Sequence, residues 1–521
     1  MKRHDREQAS TQTFFAVNPA TGEPLEPMYA EATSDEIDQA VREAEAAFVL
    51  YRKKSGTEKA AFLEGIAAEI MALGDALIHR CMAETGLPEG RLRGERGRTV
   101  NQLKLFADLL REGSWVDARI DTALPDRQPV PRPDIRQIHI PLGPVGIFGA
   151  GNFPLAFSVA GGDTASALAA GCSVVVKAHP AHPGTSGLVG SAITKAARET
   201  GMPPGVFSLV QGASVAVGMA VVRHPLIKAI GFTGSFRGGK AIFDAAVRRP
   251  EPIPVYAEMG SVNPIFLLPG ALATRGETIA QGLAQSVALG GGQFCTNPGV
   301  VVSLASEAAD RFLEHTGRHL ATLAPGTMLT ESIRAAYDAG IARMTAIEGV
   351  DVVARGSSDD GFCTGTAYLL KTTTALFLNH PHLAEEVFGP STIVVTARDK
   401  EDLLALAANL AGHLTATVHG TAQDLKTHAD LLDMLERKVG RLIVNGFPTG
   451  VEVCPAMNHG GPFPATTATG TTSVGTAAIR RFARPLCYQD VPPAQLPDAL
   501  KDENPLGIWR LVNGQFTRDA L

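Results

Sequence analysis

Between Val145 and Ser235 the chain repeats one unit: a short β-branched or apolar run, a glycine- or proline-rich turn, then a helical stretch. The runs are VGIFG (Val145 to Gly149), SVVVKA (Ser173 to Ala178), FSLVQG (Phe207 to Gly212) and IKAIGFTGS (Ile227 to Ser235). Strands buried on both faces read as apolar runs, and helical crossovers make neighbouring strands parallel, so this region predicts an α/β, doubly wound sheet. Ligands of such sheets bind beyond the carboxyl ends of the strands. Asn152, Lys177 and Gly234 each fall just past a run, which makes them candidate site residues. The stretch from Val145 to Val176 is small and apolar, as a membrane segment would be. Asn152, Asp163 and repeated glycines interrupt it before the roughly 18 clean residues a span requires, so it predicts the interior of a soluble domain.

Helices precede the sheet. Thr33-x-x-Glu36 is a capping box, and Ile37, Ala40, Val41, Ala44 and Phe48 follow at helical spacing. A second helical pattern runs from Thr57 towards Gly86. A third begins after Pro88, with Val100, Leu103, Phe106 and Leu110 on its stripe. The proline-rich DTALPDRQPVPRP, Asp121 to Pro133, then predicts an excursion from the main body. With 521 residues the chain has room for about three domain-sized units. A net charge of −6 leaves no electrostatic footprint for nucleic acid or an anionic membrane. Six cysteines without paired spacing suit a reducing, cytoplasmic setting and no structural metal. The N-terminal MKRHDREQASTQTFF is charged and has no apolar core, so it predicts no secretory signal.

One cysteine stands apart from the rest. In GGGQFCTNPG, Gly290 to Gly299, Cys295 lies between three glycines and an Asn-Pro-Gly turn, a kinked loop that other groups can approach closely. A packing cysteine belongs in a strand or on a helix stripe, so this placement leaves a reactive thiol and a buried inert one both open. No convincing GxGxxG fingerprint occurs. The nearest glycine-rich strand-to-helix turn is GFTGSFRGG, where Gly234 and Ser235 would turn backbone amides and a helix N-terminus towards a pyrophosphate.

Five segments in this order and spacing, GAGNFPLAFS, GFTGS, YAEMGSVNP, GGGQFCTNPG and EEVFGP, resemble the aldehyde dehydrogenase superfamily from about Asn18 to Tyr488. The resemblance implies an aldehyde dehydrogenase fold: a Rossmann-like doubly wound cofactor domain (1–118 and 142–256), an α/β catalytic domain (257–478) and a small β oligomerisation element (119–141 and 479–500). It implies Cys295 as nucleophile, Glu258 as general base and Asn152 as donor to the oxyanion, although Asn152 before Phe153-Pro154 suits a helix cap as well. It also implies Lys177 on the adenine ribose and Glu386 with Phe388 at the nicotinamide end. The bland readings are a snorkelling Lys177 and a solvated Glu385–Glu386 face. His179, His182 and His459 lack metal-ligand spacing and read as structural or peripheral. Cys81, Cys172, Cys363, Cys454 and Cys487 read as inert.

Departures from the commoner family pattern refine this. EMGSVNP, CPAMNHGGPFPATT and KAHPAHPGTS resemble a bacterial subgroup that includes 2-oxoglutarate-semialdehyde dehydrogenases and NADP-dependent fatty aldehyde dehydrogenases. Three residues after Lys177, where many relatives that prefer NAD carry a glutamate, stands Pro180. No carboxylate there repels a 2′-phosphate, so NADP is the expected cofactor, with NAD possible. The resemblance implies a small-molecule aldehyde as substrate and a homodimer or homotetramer. A substrate with a remote carboxylate needs a cation in its tunnel. The helix EGRLRGERGRTVNQLKLF, Glu89 to Phe106, offers Arg91, Glu95, Arg98 and Gln102 on a face away from its core stripe. Arg98 is the expected clamp, with Phe153 and Phe157 lining the substrate site; the alternative is a solvated, salt-bridged face.

Overall fold

The computed structural model describes residues 12–359 and 361–521; most of the charged N-terminal stretch read above lies outside them. The strands Val145–Phe148, Val174–Lys177, Phe207–Val210 and Ala229–Thr233 join Val255–Glu258 in a five-stranded, all-parallel sheet. Each apolar run is thus one strand. Strand Val145–Phe148 is buried at all four positions, as double coverage by helices requires. The chain moves outward from it through Val174–Lys177 to Phe207–Val210, then returns to its other side with Ala229–Thr233. Strand order therefore reverses beside Val145–Phe148, and the crevice at such a reversal is where ligands sit. The membrane-like stretch becomes two of these strands and the buried helix Gly162–Ala170. No helix among the described residues is long and apolar enough to cross a membrane.

A second sheet of seven strands follows, in spatial order Asp351–Arg355, Tyr368–Thr373, Ser391–Ala397, Val300–Leu304, Ile265–Leu267, His413–His419 and Val439–Val444. Only the edge strand Asp351–Arg355 runs antiparallel to its neighbour. Its core is continuous through Phe266, Val302, Ile393, Val395 and Leu370.

The proline-rich excursion leads into a third sheet. Strand Ile135–Pro141 pairs antiparallel with Ala483–Gln489 and with Arg119–Asp121. That sheet reaches past residue 500, where the expected oligomerisation element stops, because Arg510–Val512 and Gln515–Thr517 add a C-terminal hairpin to it. Fully buried Arg510 and Ile508 anchor this hairpin.

The helical readings mostly hold. Thr33 and Glu36 form the reciprocal capping box of helix Ser34–Tyr51, and Ile37, Val41, Ala44 and Phe48 are buried. The pattern from Thr57 to Gly86 is two helices, Gly56–Ala72 and Gly74–Thr85, not one. Gly74 at φ 56 turns the chain out of helical geometry, a conformation that glycine adopts without a Cβ penalty. Helix Glu89–Glu112 buries Val100, Leu103 and Phe106 in the core shared with the first sheet. Its other face turns inward too, for Glu95 and Gln102 are also buried. Of the solvated, salt-bridged alternative for that side, the Arg91–Glu95 ion pair is present, but Glu95 and Gln102 are buried and Arg91 and Arg98 only partly exposed.

Candidate active site

The Cys295 loop needs its glycines for backbone geometry. Gly290, Gly291 and Gly292 take φ values of 59, 67 and 69, and a Cβ on Gly292 would collide with Gly389 and Pro390. Three left-handed residues in a row turn the chain sharply after helix Pro269–Ala288. Asn263, itself at φ 44 and fully buried, clamps the far side: its Nδ2 donates to the carbonyls of Cys295 and Asn297, each at 2.9 Å. The sequence reading passed over Asn263, although it belongs to the unusual GSVNP stretch.

Glu258 closes strand Val255–Glu258, and its carbonyl accepts the N–H of Gly234 at 3.1 Å. The side chain is 3% exposed and faces the cysteine. Ser473 Oγ donates to Glu258 Oε2 at 2.7 Å, and His459 Nε2 meets Oε1 at 2.9 Å. The same imidazole nitrogen lies 3.5 Å from Cys295 Sγ. His459 is thus a member of the site and not peripheral. No spacing rule could find it, because the contact joins positions 201 residues apart. The one available signal was the departure from family pattern in CPAMNHGGPFPATT.

Burial raises the Cys295 thiol well above its ordinary value, and the nearby Glu258 and Glu386 carboxylates add to this while Arg98 opposes it. Glu258 moves the other way: burial works against its charge, but His459, Ser473 and Cys295 together hold the carboxyl below its usual value. A protonated thiol beside an ionised carboxylate is an arrangement in which the acid can take the thiol proton as sulfur attacks.

Asn152 caps no helix. The residues after it form turns, and the next helix starts at Gly162 with Gly161 as its cap. Its Nδ2 donates instead to the Gln293 carbonyl at 2.8 Å, which brings the amide beside the cysteine loop. The other Nδ2 hydrogen and the Cys295 backbone N–H, which meets no acceptor among the described residues, remain as donors.

Arg98 stands over Phe157 and Phe153, its guanidinium carbon 4.9 and 5.9 Å from the ring centroids. Phe153 in turn packs edge-on against Phe294, next to Cys295. Arg98 Nε and Nη2 are buried without a hydrogen-bond partner. Glu95, the acid one turn earlier, is committed elsewhere: it pairs with Arg91 at 3.2 Å and accepts the N–H groups of Leu155 and Ala156.

Beyond the cysteine loop a cavity is lined by Ser261, Gly292, Asn297, Glu386 and Phe388. Glu385 pairs with His382 at the surface, whereas burial pushes the Glu386 carboxyl up to about 7. Ser235 caps helix Phe236–Val247 through the Gly238 N–H, at the end of the strand that carries Gly234. Lys177 ends its own strand, and burial draws its ammonium down to about 8 against the pull of Glu31. Among the described residues that ammonium forms no hydrogen bond, so it stays free for a ligand. Glu31 was not foreseen; it accepts from Ala213 N–H, Ser214 N–H and Ser214 Oγ. His179 and His182 are structural, stacked on each other with centroids 5.1 Å apart. Cys81, Cys172 and Cys363 are buried; Cys454 is half-buried and Cys487 exposed.

A cysteine loop brought against a carboxylate and an amide donor at the strand ends of a doubly wound sheet defines an enzyme that attacks carbonyl carbon covalently. The chain belongs to the aldehyde dehydrogenase family, whose model matches residues 6–481, and it oxidises aldehydes with a nicotinamide cofactor. It is 51% identical over 507 residues to alpha-ketoglutaric semialdehyde dehydrogenase 2 of Azospirillum brasilense, covering 97% of each chain. It is 47% identical over 515 residues to the alpha-ketoglutaric semialdehyde dehydrogenase of Acinetobacter baylyi, covering 99% of this chain and 98% of that one. Among solved structures, a betaine aldehyde dehydrogenase from Staphylococcus aureus superposes with a TM-score of 0.78 at 19% identity, covering 94% of this chain and 96% of that one. At such identity the likeness concerns the fold alone.

Proposed function

We propose that the enzyme oxidises 2,5-dioxopentanoate (2-oxoglutarate semialdehyde) to 2-oxoglutarate. The observation that carries this reading is Arg98 on helix Glu89–Glu112, whose Nε and Nη2 are buried without a hydrogen-bond partner beside Phe157 and Phe153. Unsatisfied buried donors are costly, and a carboxylate is the ligand that satisfies a guanidinium best. The names of the two relatives above point to the same substrate.

In the proposed mechanism Glu258 takes the proton of Cys295 as the sulfur adds to the aldehyde carbon. Asn152 Nδ2 and the Cys295 N–H hold the negative charge that develops on oxygen, worth about 3 kcal/mol per donor in comparable sites. A nicotinamide held beside Glu386 and Phe388 would supply the hydride acceptor, and loss of hydride from the thiohemiacetal carbon would leave a thioester on Cys295. Once it has released that first proton to solvent, Glu258 removes a proton from the water that attacks the thioester; the C–S bond then breaks, Cys295 takes the proton back as a thiol, and the acid leaves. His459 and Ser473 hold the Glu258 carboxylate in place for both tasks.

The residues present fit a dinucleotide. Lys177 would hold the adenosine end, the Gly234–Ser235 turn the pyrophosphate, and Glu386 with Phe388 the nicotinamide end. NADP is the preferred acceptor, because Lys177 is a free cation and Pro180 brings no carboxylate against a 2′-phosphate. One panel tests both assignments: initial rates with 2,5-dioxopentanoate, hexanal and betaine aldehyde, each with NADP and NAD. The expected result is the highest kcat/KM for 2,5-dioxopentanoate with NADP. A preference for hexanal would transfer the enzyme to fatty aldehydes.

The domain division proposed is the one stated above, with its third unit extended to the C-terminal hairpin. Ala483–Gln489 is an edge strand of its sheet, and Val439–Val444 an edge strand of the catalytic sheet, so each has backbone groups free for a second copy. A homodimer or dimer of dimers is therefore expected, and a monomer mass by light scattering would refute it.

A further inference from the structure

We propose that Cys295, His459 and Glu258 also bind a zinc-like divalent ion, and that this ion holds the enzyme in a reversible inactive form. The inactivation rests on the reading of Cys295 as nucleophile; the metal site does not. Three ligand types from three separate segments converge here, with ligating atoms all within 4.8 Å of one another. A tetrahedral zinc ion with S and N ligands at about 2.3 and 2.0 Å sets those atoms about 3.5 Å apart. Cys295 Sγ and His459 Nε2 are 3.5 Å apart already. The 2.9 Å gap between His459 Nε2 and Glu258 Oε1 must open by only a few tenths of an ångström.

The donor set selects the metal. Thiolate, imidazole and carboxylate together suit zinc or cobalt, whereas magnesium and calcium take oxygen shells. Three protein ligands leave the fourth position for water or substrate. The Ser473 hydroxyl on Glu258 Oε2, at 2.7 Å, is the kind of outer hydrogen bond that orients a ligating carboxylate. Cys295, the partly exposed member of the three, gives the ion its way in. Binding converts the Cys295 thiol to a metal thiolate and releases one proton to solvent, with nothing oxidised or reduced. The ion thereby occupies the attacking sulfur and the water-activating carboxylate together. Arg98, whose guanidinium acts on Cys295, opposes the incoming positive charge.

The test titrates the metal-free full chain with Co²⁺ in a Cys454→Ser/Cys487→Ser background, which removes the other accessible thiols. A thiolate-to-cobalt charge-transfer band saturating at one ion per chain is expected. It should disappear with Zn²⁺, accompany loss of activity and reverse with chelator. His459→Asn, with unchanged circular dichroism, should weaken cobalt binding at least tenfold. No thiolate band, or a band indifferent to His459→Asn, overturns the site. A normal band with full activity retained overturns the inactivation, and with it the role of Cys295 as nucleophile, while leaving the metal site in place.

Discussion

Cys295→Ala should abolish formation of the reduced nicotinamide, with turnover at least on the order of 10⁴-fold below wild type, while cofactor affinity changes little. The size follows from removing a covalent nucleophile, for which the remaining groups offer no substitute path. Cofactor affinity is spared because Lys177, the Gly234–Ser235 turn and Glu386 lie on other segments. The alanine should also fold well, since the loop is held by backbone geometry at Gly290 to Gly292 and by the Asn263 clamp on main-chain carbonyls. Fluorescence titration with the cofactor and a stopped assay give the two readouts. Residual turnover near wild type would refute the nucleophile assignment. The companion variant Glu258→Gln should give at most one turnover, slower than the wild-type first turnover because its amide takes no proton from the Cys295 thiol, and then stall at the thioester because it takes none from water. Normal cycling of that variant would require another base.

The split between what could be read from the sequence and what could not follows the range of each interaction. The doubly wound sheet was legible because each strand announces itself within a few residues, as VGIFG and SVVVKA do, and handedness and parallel order follow from the helices between them. The cysteine loop was legible for the same reason: three left-handed glycines and an Asn-Pro-Gly turn are local facts. Gly74 was overlooked because a glycine inside a helical pattern ordinarily costs about 1 kcal/mol without ending the helix. His459, Ser473 and Glu31 were out of reach. Each gains its meaning from a partner far along the chain: His459 and Ser473 from Glu258, and Glu31 from the Ala213–Ser214 turn. The inward turn of Arg98 was readable as a face but not as a direction, since helical spacing says which residues go together and not what they meet.

That direction makes the second prediction sharp. Arg98→Met should raise KM for 2,5-dioxopentanoate at least tenfold, about 1.4 kcal/mol of lost binding, and leave hexanal almost unaffected. The guanidinium lies on the aromatic faces of Phe157 and Phe153, which hold its plane without using its N–H donors. Burial pulls its pKa below the ordinary arginine value while Glu95, Cys295 and Glu258 oppose that shift, and a guanidinium starts so far above neutral that arginine keeps its charge in proteins. A desolvated cation with free donors gains more from a carboxylate than a solvated one, because little water has to be displaced. Methionine keeps an unbranched apolar stem that packs against the same two rings, so the variant removes the charge and the fork at little cost in packing. Arg98→Lys keeps the charge and loses the two-pronged geometry, and should fall between wild type and methionine. Arg91 cannot replace it, since it is engaged with Glu95 and stacked over Phe153 and Phe294. Equal losses on both aldehydes would mean a damaged fold. If neither aldehyde lost affinity, Arg98 would be removed from the substrate site and the case for a carboxylate-bearing substrate would lose its main structural support.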